Sequence, residues 1–470
     1  MRRVALLVAT LLAGCAAPRT EQAVAPLAPA RLGLAGPPAP AIDARWWRGF
    51  GDPQLDRLVE DATAGSPNLA AALARVAQAQ AVLGQRRAED GLNATLDAQA
   101  QAARLSGRYT IPPPFRGTVR TVGLVGANLS YNLDLFGRQA AAIAGARAST
   151  QAAALDLQAA RLALAGSVTQ TYLDLARAEM EAGIARRTIA TREGSLQLVR
   201  TQIRNRLASR VQETAAQTLV AQARGELTRA LGAAALGRDA LAALAGRGTD
   251  YAGAIGPTAV RLDSALPLPT VLPADLLGRR ADIAAARARV EAAEAGKQVA
   301  RRAFYPNVNI GALVGLQAIG LGNLLSLDAG QVGAGPAISL PLFDSGRRRA
   351  ELAGATAGVD LAVASYNEAV VGAVREAADA LALTGNLQAQ AADAAAVTRG
   401  FRETGRLNAV RVRAGLDSKL DLVDNDVRLL DAELTEANLA TDAARARVQL
   451  LLALGGGWDE SVPSRGGTTP

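Results

Sequence analysis

The stretch LDLFGR at residues 133–138 decides the fold, because it recurs as LPLFDSGR at residues 340–347. Each copy ends an alternating, strand-like segment and begins an alanine-rich run. The first run contains no proline until Pro257, and the second contains none until Pro463. Without proline, nothing forces a helix to break within such a run. The repeat therefore predicts that one unit, in which strands lead into long helices, was used twice.

The two halves also match elsewhere, and the matches come in the same order. Residues 68–79 (NLAAALARVAQA) align with residues 282–293 (DIAAARARVEAA) at an offset of 214, and Leu207 aligns with Leu416 at an offset of 209. The second match falls where each long helix is expected to turn back. Each half is therefore predicted to be a helix, a β-hairpin and a long helical hairpin.

Polar and apolar side chains alternate in four segments, at residues 94–102, 125–135, 307–316 and 331–342. Such alternation is typical of a strand with two different faces, and about ten residues is the length of a tilted strand that crosses a bilayer. A soluble sheet with one buried face has the same pattern. In a membrane, four strands cannot enclose a channel, and open edges leave backbone groups unpaired in lipid. Several chains would then share one barrel.

The N-terminus is predicted to be a lipoprotein signal. Two arginines precede an apolar run over residues 4–12 that is too short to span a bilayer. The residues LAGC then place Cys15, the only cysteine, where a bacterial lipobox has its lipidated residue. We predict a signal peptide at residues 1–14 and a lipidated tether, rich in alanine and proline, at residues 15–45. The alternative is an ordinary signal peptide that contains a cysteine by chance.

The composition argues against an enzyme. The chain has no histidine and one cysteine, which excludes Ser-His-Asp and Cys-His nucleophile sites, histidine metal ligands and disulfides. No acidic cluster beside a glycine-rich turn indicates a carboxylate-bound metal, so we expect neither a cofactor nor a metal. The net charge of +8 comes from arginines that are mixed with acidic residues along the predicted helices. That mixture is typical of a solvated face and not of a nucleic-acid surface.

Four aspartates follow the second predicted helical turn at spacings of four, three and seven residues, which puts them on one helical face: Asp417, Asp421, Asp424 and Asp431. In an oligomeric channel they would form rings of carboxylates that attract cations. The corresponding segment of the first half, residues 209–218, has only Glu213. We therefore predict an acidic pore stripe at the second turn; the alternative is a solvated helix face, with Asp417 near the helix N-terminus.

Several further motifs run the length of the chain in a fixed order: WWRGFGDPQL at 46–55, YNLDLFGR at 131–138, LGRRADI at 277–283, FYP at 304–306, GPAISLPLF at 335–343 and LGGGW at 454–458. Together with the lipobox, they resemble the outer-membrane efflux proteins of the TolC family, and in particular the lipoprotein branch that OprM and NodT typify. Three residues depart from the family pattern. Ala281 replaces a usual proline, Val412 a usual tyrosine and Arg206 a usual glycine.

The resemblance implies a mainly α-helical fold with a transmembrane β part. A homotrimer would build an α-helical barrel and a shared twelve-strand β-barrel, to which each chain gives four strands. It also implies an equatorial belt near residues 45–65, 245–275 and the C-terminus. Leu420 and Asp424 match the leucine and the aspartate that constrict the periplasmic end in the family, so they are predicted to form the gate. An arginine that is frequent three positions after this aspartate is Val427 here.

The function implied is that of an outer-membrane exit duct in a tripartite efflux system for small solutes such as drugs. Its partners would be a periplasmic adaptor, an inner-membrane pump and outer-membrane lipid, without nucleic acid. The competing interpretation is a lipid-anchored periplasmic adaptor or coiled-coil scaffold, which also has long helical hairpins. After the tether we predict a first repeat at 46–250 (hairpins at 94–135 and 137–245), a linker at 251–275, a second repeat at 276–456 (hairpins at 307–342 and 345–454) and a tail at 457–470.

Overall fold

A computed structural model describes residues 21–28, 31–34, 37, 42–108, 111, 113–263, 269, 271–273 and 275–458. The predicted signal peptide and Cys15 lie outside the described residues, as does the predicted tail after Trp458. The described part is mostly helical and contains one four-stranded sheet, which confirms the predicted fold class at the level of secondary structure. No helix in this part of the chain combines the length and the apolar composition that a bilayer span requires.

The elements follow one another in the same order in both halves. The first half holds α1 (Pro53–Gly65), α2 (Pro67–Ala88), β1 (Asn93–Arg104), β2 (Val119–Leu133), α3 (Arg138–Arg204), α4 (Arg210–Leu244) and α5 (Thr249–Ala254). The second half holds α6 (Ala281–Arg302), β3 (Asn307–Ile319), β4 (Gly330–Ser339), α7 (Arg347–Arg413) and α8 (Lys419–Ala453). Short 3-10 helices lie at Trp46–Phe50, Leu276–Arg279, Leu321–Asn323 and Leu327–Ala329.

The duplication is visible in the lengths of the helices. α3 and α7 each have 67 residues, and α4 and α8 each have 35. The helices α7 and α8 begin 209 residues after their counterparts α3 and α4, at Arg347 against Arg138 and at Lys419 against Arg210. α2 and α6 have 22 residues each and start 214 residues apart. These offsets define equivalent positions in the two halves.

The chain forms two compact units that do not coincide with the two repeats. One unit contains residues up to Pro26 together with Arg75–Ala153 and Ala285–Tyr366. The other contains Leu27–Ala74, Ala154–Ala284 and the residues from Asn367 onward. Each unit takes segments from both halves, so the division of the chain into two sequence repeats stays a prediction.

The sheet lies in the first unit and is antiparallel throughout, in the order β1-β2-β3-β4. Its register collects the predicted apolar residues of all four strands on one face. One row across the sheet consists of Leu96, Ala127, Val314 and Val332, and a neighbouring row consists of Ala94, Leu129, Ala312 and Ala334. The other face carries polar groups, and there the Asn128 amide donates to the Asp97 carboxylate at 2.7 Å.

Both outer edges of the sheet are open within the described part of the chain, where β1 pairs only with β2 and β4 pairs only with β3. β4 ends at Ser339, although the alternation predicted a strand as far as Leu342. The ladder stops there because Ser339 pairs with Asn307, the first residue of β3, and Pro341 has no N–H group with which to extend it. Pro336 lies within β4, a position that an edge strand tolerates.

Ion pairs order the long helices of the second unit as α4-α3-α8-α7. They connect α4 with α3 (Arg200–Glu213, 3.0 Å; Arg224–Glu193, 2.7 Å), α3 with α8 (Arg445–Asp174, 2.5 Å; Arg187–Glu433, 2.7 Å) and α8 with α7 (Arg402–Glu433, 3.0 Å). The helices α4 and α7 therefore stand at the two ends of this order, as β1 and β4 do in the sheet.

The two helical turns differ in backbone strain. Arg206 has a φ of 54°, and the equivalent residue of the second turn, Gly415, has a φ of 73°. This left-handed conformation costs a residue with a Cβ atom roughly 1–2 kcal/mol, and it costs glycine almost nothing. Arg206 is the position at which the family resemblance leads one to expect glycine, so the substitution leaves a strained turn.

Arg206→Gly should therefore stabilise the first turn by about 1 kcal/mol, and Gly415→Arg should destabilise the second by a similar amount. Hydrogen exchange of the turn amides, followed by mass spectrometry, measures both effects. Arg204→Gly is the matched control: it removes an arginine from the helical end of α3, and glycine should speed exchange there. Faster exchange in Arg206→Gly would contradict the assignment of strain.

Candidate functional site

The candidate site is the turn between α7 and α8, together with the first turns of α8. At the end of α7 the Leu416 N–H donates to the Arg411 carbonyl at 2.9 Å, a closure that the left-handed Gly415 permits. At the start of α8 the Ser418 hydroxyl accepts from the Asp421 N–H at 3.2 Å, and the Asp421 carboxylate accepts from the Ser418 N–H at 3.1 Å. This capping box satisfies backbone donors that α8 itself cannot pair.

Asp417 lies in the turn and not on α8, which begins at Lys419. It therefore does not share the helical face that the spacing predicted for four aspartates, because the capping box starts the helix after it. Its carboxylate accepts from Arg411 Nε at 2.6 Å and from Arg411 Nη2 at 2.9 Å. These hydrogen bonds hold the pKa of Asp417 below its ordinary value. Asp417 thus joins the two sides of the turn.

The other three aspartates, Asp421, Asp424 and Asp431, are exposed residues of α8. Asp421 takes part in the capping box. Asp424 forms an ion pair with Arg428 at 2.8 Å, and 65% of its side chain is exposed. Asp431 lies two turns beyond Asp424. The exposed face at the start of α8 is therefore acidic, and Arg428 neutralises part of its charge.

Leu420 lies one turn before Asp424 and is also exposed. The buried residues of α8 nearby include Val427 and Leu430, and Val427, seven residues after Leu420, lies close to the same helical face. The Asn425 amide donates to the Phe401 carbonyl of α7 at 3.3 Å. This packing leaves Leu420 and Asp424 uncovered. It also explains Val427, since an arginine there would be buried, while the neighbouring Arg428 reaches Asp424 instead.

The first helical turn shows that the acidic residues are not needed to build such a turn. There the Ser209 N–H donates to the Gln212 side chain at 2.7 Å, in a capping box equivalent to that of Ser418 and Asp421. Ala215 occupies the position equivalent to Asp424, and Val211 the position equivalent to Leu420. A neutral residue thus completes the same cap, so capping alone does not explain why the second turn carries acidic residues.

A second cluster, which we call the belt hub, was missed by sequence reasoning: Asp52, Gln54, Tyr172, Gly256 and Ala259. Asp52 is only 5% exposed. Its carboxylate accepts from the Gln54 N–H (2.9 Å), from the Tyr172 hydroxyl (2.5 Å) and from the Ala259 N–H (2.7 Å). The Gln54 amide donates to Tyr172 Oη and to the Gly256 carbonyl, and its oxygen accepts from the Gly256 N–H at 2.9 Å. Burial raises the pKa of Tyr172, and the bond to Asp52 adds to this.

Apolar side chains enclose the belt hub in the second unit. Trp46, Phe50, Leu55 and Ile255 come from segments that the resemblance assigns to an equatorial belt, and Leu241 and Leu451 come from the long helices α4 and α8. In the sequence, Asp52-Pro53 is a recognisable helix start, with an N-cap aspartate before a proline at the first helical position. No local pattern points to Tyr172, because it lies 120 residues further along the chain.

The contact between Tyr251 and Asp61 makes the stability of the chain depend on pH. Its hydroxyl donates to Asp61 at 2.5 Å, and burial together with this bond raises its pKa from 10.0 to about 12. In the unfolded chain the phenol ionises near 10, so stability is fully present below that pH and is lost as the pH rises through about 12. Urea midpoints measured from pH 9 to 12 should fall less steeply for Tyr251→Phe than for the unmodified chain. Parallel slopes would contradict the shift.

Among the described residues, no group of three or more acidic side chains is arranged to hold a metal ion. The second turn therefore offers an exposed leucine, carboxylates and their arginine partners. Such a surface can narrow an opening and act on passing ions.

Comparison with known proteins gives one family. The sequence profile of the family described as outer membrane efflux protein matches residues 58–247 and 272–456. The chain is 34% identical over 475 residues to the outer membrane protein OprJ of Pseudomonas aeruginosa, and the match covers 98% of each chain. It is 28% identical to the multidrug resistance outer membrane protein MdtP of Escherichia coli K12, over 96% of this chain and 94% of that protein.

Solved structures give the same fold. The outer membrane protein VceC of Vibrio cholerae is 32% identical and superposes with a TM-score of 0.80, over 89% of this chain and all of that one. The outer-membrane channel OprN is 27% identical and superposes with a TM-score of 0.81, over 94% of this chain and 99% of that one.

Proposed function

Because the chain belongs to the family of outer membrane efflux proteins, we propose that it is the exit duct of a tripartite efflux system. It carries small solutes such as drugs or toxic compounds from the periplasm to the exterior. It performs no covalent chemistry, and its partners are a periplasmic adaptor and an inner-membrane pump. The pump and the adaptor select the solutes, and the duct is the channel through which these solutes leave.

The observation that supports this proposal is the sheet, with one apolar face and two open edges. The apolar face suits contact with lipid, and the polar face suits a water-filled lumen. Open edges have no place in lipid, because their backbone groups find no partner there. Edge β1 of one copy would pair with edge β4 of the next, in a closed cyclic assembly. Three copies make a homotrimer with a shared twelve-strand β-barrel and a helical barrel in the periplasm.

Planar-bilayer recording tests the proposal. The purified chain should extract from membranes only with detergent, migrate as a trimer on an unboiled gel and conduct ions as a discrete channel. A chain that runs as a monomer and does not conduct would instead be the alternative, a lipid-anchored adaptor or scaffold, which its acyl chains would also make dependent on detergent for extraction. The strands favour the duct, since an adaptor would carry its strands in compact modules beside one helical hairpin.

The same proposal includes a lipid anchor at Cys15 and a tether to residue 45. An extended segment after Cys15 is held against α7 at two places, which supports a tether in this position. The Ala23 and Val24 N–H groups donate to Asp360 at 3.0 and 3.1 Å, and the Leu27 N–H donates to Asn367 at 2.9 Å. Labelled palmitate should enter the chain and should be absent from Cys15→Ala; equal labelling of both would exclude this anchor.

We further propose that the second helical turn is the periplasmic gate. In a trimer, Leu420 and Asp424 would constrict the opening, with Asp421 and Asp431 as the acidic pore stripe around it and Asp417, paired with Arg411, in the turn beside them. The support is that Leu420, Asp421, Asp424 and Asp431 are exposed and that the first turn builds the same cap without them. Its test is a change in channel conductance when Leu420 and Asp424 are replaced.

A further inference from the structure

Equivalent positions of the two halves make equivalent contacts. In the first helical hairpin, Glu193 of α3 pairs with Arg224 of α4 at 2.7 Å. The residues 209 positions later, Arg402 of α7 and Glu433 of α8, pair at 3.0 Å. The charges are exchanged, and the place of the contact is the same. The offset of 209 therefore transfers contacts from one half to the other, even where residue types have changed.

One contact inside the chain joins the two halves in an antiparallel register. Asp174 of α3 pairs with Arg445 of α8 at 2.5 Å, and three residues later Arg177 pairs with Asp442. A step forward along α3 is matched by an equal step back along α8. Around these pairs the helices cover each other, since Leu173 and Ala444 are fully buried.

The residues at the equivalent positions, 209 residues away, lie on α7 and α4, the two helices at the ends of the order α4-α3-α8-α7. The position equivalent to Asp174 is Leu383, and the position equivalent to Arg445 is Leu236. Leu383 is 42% exposed and Leu236 is 71% exposed. Their neighbours Ala382 and Ala235, which correspond to Leu173 and Ala444, are exposed as well. The helices α3 and α8 thus cover Leu173 and Ala444 from solvent, whereas the equivalent positions on α7 and α4 are exposed.

We propose that Leu236 of one copy of the chain faces Leu383 of the next copy, in the register that Asp174 and Arg445 show within one chain. This proposal rests on the oligomeric duct proposed above and specifies its helix-to-helix pairing. The contact inside the chain is ionic, and the contact between copies is apolar. An ion pair holds one geometry, whereas two leucines lose water without needing exact alignment of charges.

The register can be tested by cross-linking, because the native chain has no cysteine except Cys15. The double variant Leu236→Cys/Leu383→Cys, treated in membranes with a short bismaleimide, should give covalent dimers and trimers on a denaturing gel. Leu236→Cys and Leu383→Cys alone should give no more than background. Leu236→Cys/Gln390→Cys moves one partner by two helical turns along an exposed face, so it should link much less. Asp174→Cys/Arg445→Cys should link only within a chain.

A charge exchange tests the energetics. Leu383→Asp and Leu236→Arg, made separately, should each lower the fraction of trimer on an unboiled gel by about tenfold, because an unpaired charge would be covered. The double variant copies the Asp174–Arg445 pair into the interface between copies, and it should recover most of the trimer.

The outcomes separate the two proposals. A conducting trimer that links through Leu236→Cys/Gln390→Cys, or in which the charged double variant recovers nothing, overturns the register and leaves the duct in place. A chain that neither conducts nor forms trimers removes the duct, and the pairing with it.

Discussion

Asp52→Ala should lower the free energy of unfolding by about 3 kcal/mol. The substitution removes the cap of α1 and leaves two buried donors, the Tyr172 hydroxyl and the Ala259 N–H, without their acceptor. A buried donor that loses its partner costs roughly 1–3 kcal/mol, and a lost N-cap costs about 1 kcal/mol. Because three segments of the chain meet at this carboxylate, the loss should loosen the packing around the belt hub.

Urea-induced unfolding, followed by circular dichroism, measures the effect. Tyr172→Phe removes one donor together with its bond and should cost only about 1 kcal/mol. The Asp52→Ala/Tyr172→Phe double variant should be less destabilised than the sum of the two, because both substitutions remove the same bond. Glu60→Ala is the matched control, an exposed acidic residue on the same helix, and it should change the midpoint little. An equally small change in Asp52→Ala would contradict the role of the hub.

Leu420→Ala/Asp424→Ala should raise the single-channel conductance about twofold or more and weaken the preference for cations. Removal of the leucine widens the proposed constriction. Removal of the carboxylate breaks the ion pair with Arg428 and deletes one ring of negative charge. Recordings in a planar bilayer under a salt gradient report the conductance and the reversal potential together.

Val211→Ala/Ala215→Gly is the matched control for the gate, since it trims the equivalent positions of the first turn without touching an acidic residue. It should leave both quantities as they are. If Leu420→Ala/Asp424→Ala also leaves them unchanged, the second turn does not form the constriction. The single variant Asp424→Asn, which keeps the size of the side chain, should change the reversal potential and not the conductance.

The features that follow a period could be read from the sequence. Alternation placed Ala94, Leu129, Ala312 and Ala334 on apolar faces, and the register of the sheet then put all four in one row. The absence of proline predicted both long helices, and the match of Leu207 with Leu416 located both turns. Alternation and the absence of proline can be read because they depend on residues that are close in the sequence, and the turns can be read because the repeat places them at a constant offset.

What could not be read depends on residues that are distant in the chain or on local backbone geometry. The partners of Asp52 lie up to 207 residues away, and no spacing announces them. The four aspartates looked like one helical stripe because spacing alone does not show where a helix begins. The capping box of Ser418 and Asp421 starts α8 after Asp417. That box has a sequence signature, a serine with an acidic residue three positions later, and its use would have separated Asp417 from the rest.

The equal helices limit where this chain can change its length. The offset between the halves is 214 from Asn93 to Asn307 and 209 from Arg138 to Arg347. The difference lies in the β-hairpins and in the corner that follows them, where LFGR at 135–138 corresponds to LFDSGR at 342–347. The long helices have neither gained nor lost a residue relative to each other. One inserted residue would rotate the rest of a helix by about 100° and break every later antiparallel pair. Epitope tags and labels therefore belong in the connections at residues 105–118 and 320–329, where evolution has already accepted insertions or deletions.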